Sequence, residues 1–126
     1  MKDNRFKWCF IGTGKLANHV ASQLLKSGRH EIVSCYTRNI EKGRLFAEKH
    51  GCAACAGAEE AISFEGVEGV YVVTPHNAHY RYVKQALKLG KPVLCEKAFT
   101  VTAEETDELI DLARAEDVYL CEAMWT

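Results

Sequence analysis

Two glycines one residue apart, Gly12 and Gly14, with Ala17 three positions further on, follow the apolar run "FKWCFI" and open the amphipathic stretch "KLANHVASQLLKSG". A Gly-x-Gly-x-x-Ala pattern between a strand and a helix is the context in which such a turn cradles the pyrophosphate of a dinucleotide. Gly12 permits the tight turn, Gly14 lets backbone approach a phosphate, and Ala17 lets the helix pack close to the sheet. Amides at a helix start face an anion along the helix dipole, so Gly12, Thr13, Gly14, Lys15 and Leu16 are the expected contacts. The plainer alternative is a glycine-rich turn that holds no ligand.

About 20 residues past such a turn, a site that prefers NAD offers a carboxylate to the ribose hydroxyls. Here the corresponding stretch reads "CYTRN", with no Asp or Glu from Tyr36 to Asn39. Thr37 and Arg38 are therefore the expected ribose-side contacts. The guanidinium fork suits the 2′-phosphate of NADP, which makes NADP the preferred cofactor and NAD the second choice. A solvated cation at a helix start is the competing reading of Arg38.

Six cysteines raise the question of metal or disulfide chemistry. Cys9, Cys35, Cys95 and Cys121 sit inside apolar runs, where a free thiol behaves as a small buried hydrophobe. Cys52 and Cys55 have C-x-x-C spacing, but no second Cys pair or His pair follows at finger-like distance, so no metal is assigned.

The elements that must position these groups alternate along the chain. Strand-like "FKWCFIG", "EIVSCYT", "GVEGVYVVT", "PVLCEK" and "VYLCEAMW" are separated by the helical patterns "KLANHVASQLLKSG", "IEKGRLFAEKHG", "AHYRYVKQALKLG" and "TAEETDELIDLARAED". "CAACAGAEEAIS" reads as a short edge strand and a short helix. Right-handed crossovers turn this pattern into a single α/β domain over residues 1–126. Its parallel sheet is doubly wound, a Rossmann fold with strand order 3-2-1-4-5-6. Leu16, Val20 and Leu24 with Ala17 and Ala21 form the expected inner stripe of the first helix, closed by Gly28. Thr102 and Glu105 read as a capping box before Leu109, Ile110 and Leu112.

Composition narrows the partners. With 126 residues, 48% hydrophobic and 26% charged, the chain can bury one ordinary core. A net charge of −1 with interspersed signs argues against nucleic-acid or membrane-surface binding and favours small molecules. No apolar run approaches the ~18 residues of a membrane span, and "MKDNRFKW" lacks a signal-peptide core, so a cytoplasmic location is expected.

Four stretches in order, "GTGKLA", "VVTPHNAHY", "KPVLCEKAFT" and "EAMWT", resemble the Gfo/Idh/MocA oxidoreductases from Phe6 to the last residue. The resemblance implies that Thr74, Pro75, His76 and His79 line the nicotinamide half of the cofactor, although many members carry Asn where His76 stands. Glu96 and Lys97 match the family's Glu-Lys-Pro motif, with Ala98 in place of proline, where a trans peptide or an altered turn is expected. By resemblance Lys97 is the catalytic residue, its ammonium stabilising charge on the reacting oxygen, while Glu96 orients it or contacts cofactor. Read without the resemblance, the Glu-Lys pair is a solvated turn, and His79 is equally the polar start of a helix. Trp125 corresponds to an aromatic that packs beside nicotinamide.

The function expected is thus the NAD(P)-binding domain of an oxidoreductase that moves hydride between nicotinamide and a secondary alcohol or ketone of a sugar, polyol or dihydrodiol. The family's C-terminal substrate domain, with its aspartate and histidine acid-base pair, is expected to be absent from this chain, leaving it nearly inactive alone. Homo-oligomerisation is expected, with self-association through an apolar edge around Val118, Leu120, Met124 and Trp125. Two other readings are a stand-alone NAD(P) sensor without catalysis and a degenerate domain that binds nothing.

Overall fold

The computed structural model describes residues 4–74, 76–96 and 102–123. Along Phe6–Ile11 (β1) side chains alternate between two cores, Cys9 and Ile11 entering one and Phe10 the other. Gly69–Val72 (β4) does the same, with Val70 and Val72 on one side and Tyr71 on the other. Strands buried on both faces need helices on both faces, which a parallel sheet supplies through its crossovers.

The remaining strands are His30–Tyr36 (β2), Ala53–Ala54 (β3), Val93–Glu96 (β5) and Leu120–Ala123 (β6), and every pairing is parallel. The sheet runs β3-β2-β1-β4-β5-β6, the doubly wound order expected from the alternating pattern. Lys15–Ser27 (α1) and Ile40–His50 (α2) cover one face through Ala17, Ala21, Phe46 and Ala47. Ala58–Ile62 (α3), His76–Lys88 (α4) and Ala103–Glu116 (α5) cover the other through Ile62, Val83, Leu87 and Leu109. Phe10 sits at the centre of the first core, 5.0 Å from Tyr71 and 5.5 Å from Phe46 between ring centroids. Each such aromatic pair is worth about 0.5–1.5 kcal/mol beyond its buried area.

All six cysteines are free. Burial pushes the Cys9 and Cys95 thiols up to about 12, so both stay protonated near neutral pH and act as packing. Cys121 departs from the expected burial and is exposed. It pairs with Leu94 on the α1–α2 side, and that core lies over β1, β2 and β4, short of the edge strand. Leu16 of the expected α1 stripe faces outward at 39% exposure, and Ile110 of α5 does so at 38%. Small Ala17 and Ala21 bring α1 close to the sheet, and Leu109 with Ala113 forms the inner face of α5. The run read as one strand over 66–74 is strand only from Gly69 to Val72, and α4 begins two residues earlier than its pattern suggested.

Candidate functional site

Between β1 and β4 the strand order reverses, and a cleft of about 530 Å³ opens at the C-terminal ends of β1, β2, β4 and β5. Crevices at this switch point are where doubly wound sheets take their ligands. Gly12, Thr13, Gly14, Lys15 and Leu16 line it from β1 and α1, Thr37 and Arg38 from the end of β2, Thr74 from β4 and Glu96 from β5. A groove of about 600 Å³ at the α5–β6 edge, lined by residues such as Ile110 and Tyr119, contains none of these groups.

The two glycines of the turn have different tasks. Gly12 has φ of 109°, and a Cβ there would stand 2.8 Å from the Val73 carbonyl oxygen, so the turn can lie against the end of β4 only without a side chain. A Cβ on Gly14 would meet nothing within 4 Å, so the space beside it, at the mouth of the cleft, is open. Gly14 is the N-cap of α1, yet no side chain caps this helix and its first turn holds no acidic residue. The leading amides therefore lack intrahelical acceptors and remain available to an anion.

Two buried hydroxyls lie beside these amides with no hydrogen-bond partner, Thr13 Oγ1 and Thr74 Oγ1. A buried polar atom left unsatisfied costs about 1–3 kcal/mol, which a polar ligand in the cleft would relieve. These groups suit the phosphates and carboxamide of a nicotinamide dinucleotide.

At the ribose end, Tyr36, Thr37, Arg38, Asn39 and Lys42 line the wall, and Glu96 is the sole carboxylate among the described lining residues. Asn39 caps α2, its Oδ1 accepting from the amides of Glu41 at 3.0 Å and Lys42 at 3.2 Å. Glu41 in turn pairs with Arg44 at 3.3 Å. Two leading amides of this helix are thus engaged by its own cap, and the cations at this end of the wall are the Arg38 and Lys42 side chains.

Glu96 is 4% exposed and accepts a hydrogen bond from Tyr71 Oη at 2.9 Å. Burial, and then the carboxylate itself, pushes the Tyr71 phenol up, so it stays a donor. His79 does not line the cleft. It is fully buried, and its Nε2 lies 2.6 Å from the Thr74 carbonyl oxygen, to which it donates. His79 therefore acts on the cleft through the backbone of Thr74. His76 opens α4. Pro75, Lys97, Ala98, Met124 and Trp125 lie outside the described residues. At the edge named for self-association, Val118 and Leu120 are half-buried and Tyr119 is 86% exposed.

Sequence reasoning missed Lys42, Tyr36 and Tyr82 as lining residues. Lys42 lies in the first turn of α2, just past the Asn39 cap, and its closeness to the "TRN" stretch could have found it. Tyr82 stands four after Ala78 on α4 and meets Tyr36 with 6.0 Å between ring centroids. The tyrosine pair joins two elements far apart in sequence, so no local spacing announces it.

A family-wide sequence profile described as an oxidoreductase family with an NAD-binding Rossmann fold matches residues 6–123. D-xylose 1-dehydrogenase (NADP(+)) of Hypocrea jecorina is 35% identical, with 95% of this chain and 34% of the relative covered. Trans-1,2-dihydrobenzene-1,2-diol dehydrogenase of Mus musculus is 33% identical, with 95% and 37% covered. Among solved structures, a putative NADPH-dependent oxidoreductase of Desulfitobacterium hafniense is 26% identical with a TM-score of 0.89, over 95% of this chain and 35% of that one. A 3-ketoreductase of Actinomadura kijaniata, solved with NADP and TDP-benzene, is 26% identical with a TM-score of 0.88, over 94% and 37%. The chain thus spans about a third of the length of the relatives it matches.

Proposed function

The chain belongs to the Gfo/Idh/MocA oxidoreductase family, and on that premise we propose that it binds NADP in preference to NAD for a dehydrogenase or ketoreductase. The reaction proposed is hydride exchange between the cofactor and a secondary alcohol or ketone of a sugar, polyol or dihydrodiol. The observation that carries the reading is the cleft itself. An uncapped helix start, a glycine with open space and two unpartnered buried hydroxyls converge at the switch point of the sheet.

When bound, the nicotinamide group supplies the hydride donor or acceptor. The residues of this chain would do the rest of the binding work. Amides at the α1 start would take the pyrophosphate, and the Thr13 and Thr74 hydroxyls would gain partners from the ligand. Arg38 and Lys42 would take the 2′-phosphate, a pairing favoured because Asn39 already occupies two α2 amides and no carboxylate lines this end among the described residues. Lys97 is proposed, from the resemblance alone, to hydrogen-bond the reacting oxygen and stabilise its charge. Glu96, tied to Tyr71, would anchor the strand end that precedes it. The substrate pocket and the proton-exchanging histidine would belong to the part of such an enzyme that the relatives have beyond this third, so the chain alone should bind cofactor weakly and turn over little.

Calorimetric titration of the chain with NADPH, NADH and 2′-AMP, before and after Arg38→Ala, tests the proposal. A charge-assisted contact of about 1.5–3 kcal/mol predicts NADPH binding roughly 10- to 100-fold tighter than NADH, a margin largely lost in the variant. An unchanged NADPH to NADH ratio in Arg38→Ala would remove the basis for preferring NADP.

A further inference from the structure

Asn18 on α1 joins the glycine turn to a residue 32 positions away. Its Nδ2 donates to the carbonyl oxygens of Thr13 at 3.2 Å and Gly14 at 3.0 Å. Both amide protons are thereby committed to groups that only accept, so Oδ1 must face outward from the turn. It meets His50 Nε2 on α2 at 2.8 Å, and because Oδ1 can only accept, that ring nitrogen carries the proton. His50 is 8% exposed and packs 4.5 Å from Phe46 between ring centroids, which fixes its plane. Burial, with Lys49 adding repulsion, holds its pKa below the usual imidazole value, so the neutral ring with one donor is the form at neutral pH.

The two carbonyls that Asn18 holds belong to the peptide planes whose N–H groups are those of Gly14 and Lys15. In a planar trans peptide the N–H points opposite to the C=O. Fixing the oxygens on Asn18 therefore aims these two N–H groups away from it. Gly14 and Lys15 line the cofactor cleft, and Asn18 does not. A hydrogen bond accepted at a peptide oxygen also polarises the N–H across the same plane, which makes it a better donor.

We infer that Asn18, held in place by His50, is a positioning residue that aims the Gly14 and Lys15 amides at the pyrophosphate of the bound dinucleotide. The inference rests on the cofactor reading proposed above and adds to it a residue pair that never touches the ligand. His50 reaches the turn from the second helix of the domain, so the phosphate-binding backbone is set by α2 as well as by its own glycines.

The test uses the whole chain and two ligands that need different parts of the cleft. NADPH needs the turn amides, whereas 2′-AMP carries only the phosphate assigned to Arg38 and Lys42. His50→Phe keeps a packed ring but removes the donor, and His50→Gln restores a donor from a different side chain. Asn18→Leu, at a half-buried helical position, removes the fork directly should the His50 variants unfold. The expected result is an NADPH dissociation constant raised about tenfold in His50→Phe and in Asn18→Leu, recovery in His50→Gln, and 2′-AMP affinity unchanged in all three. Nitrogen–proton correlation spectra of the ligand-free chain should show the Gly14 and Lys15 amides shifting in the same two variants. Parallel weakening of NADPH and 2′-AMP would assign the pair to general stability and overturn the inference. Unchanged NADPH affinity in both loss variants overturns it too, with the cofactor reading intact, whereas a native chain that binds neither NADPH nor NADH overturns both.

Discussion

Helices α1 and α2 each start just after a parallel strand, β1 and β2, and they start in opposite ways. In α2 the Asn39 side chain takes two leading amides and Glu41 stands in the first turn. In α5 Thr102 takes the amide of Glu105, with Glu104 and Glu105 in the first turn. Each of these helices meets its own needs for hydrogen bonds and for negative charge. α1 has a glycine for its cap, no acid in its first turn, and a side chain, Asn18, that reaches past the amides to hold carbonyls instead. Completing α2 and α5 stabilises the chain by itself, whereas the open start of α1 would gain that contribution only from a ligand.

The strongest break of this contrast comes from the two glycines of the turn, taken as a pair. Gly12→Ala forces a Cβ to 2.8 Å from the Val73 carbonyl oxygen at φ of 109°, and it should destabilise the chain by about 3 kcal/mol in urea titration. Gly14→Ala meets nothing within 4 Å from a backbone with φ of −80°, so its stability should stay within about 0.5 kcal/mol of the parent. Its methyl nonetheless stands where ligand is expected, and NADPH affinity should fall at least tenfold. Equal stability losses at the two positions would mean that Gly14 serves the fold and not the ligand.

A second test exploits the orphaned hydroxyl. Thr13→Val replaces a buried oxygen that has no partner with a methyl of similar size, so the ligand-free chain should gain about 1 kcal/mol. The same change should weaken NADPH several-fold, because the partner expected from the ligand is lost. A variant both less stable and equally tight would place an unseen partner on Thr13 and detach it from the site.

Much of this architecture was legible before the structure. Short apolar, β-rich runs such as "WCFI" and "VYVV" alternating with helical patterns sufficed for strand order, because crossovers in parallel sheets have one hand. The turn was legible too, since its residues are contiguous. What the sequence concealed is convergent. Lys42, Tyr82 and the His50–Asn18 pair reach the cleft or its turn from faces of α1, α2 and α4 that local periodicity treats as ordinary helix surface or core. Cys121 read as interior because it sits in apolar company, but β6 is an edge strand and the core on the α1–α2 side stops short of it. His79 was assigned to the cleft through resemblance, whereas its ring lies behind the wall and grips the Thr74 carbonyl.

The mildest test is the control that gives the comparison its meaning. Thr102→Ala removes the oxygen that accepts from the Glu105 amide at 3.1 Å and should lower stability by about 0.5–1 kcal/mol. Thr102 starts a helix whose cap serves that helix alone, so NADPH affinity, corrected for the fraction folded, should not change. If it weakened NADPH as Gly14→Ala is expected to, the start of α5 would belong to the binding surface, and the contrast between α5, which caps itself, and α1, which is proposed to take a ligand, would have to be redrawn.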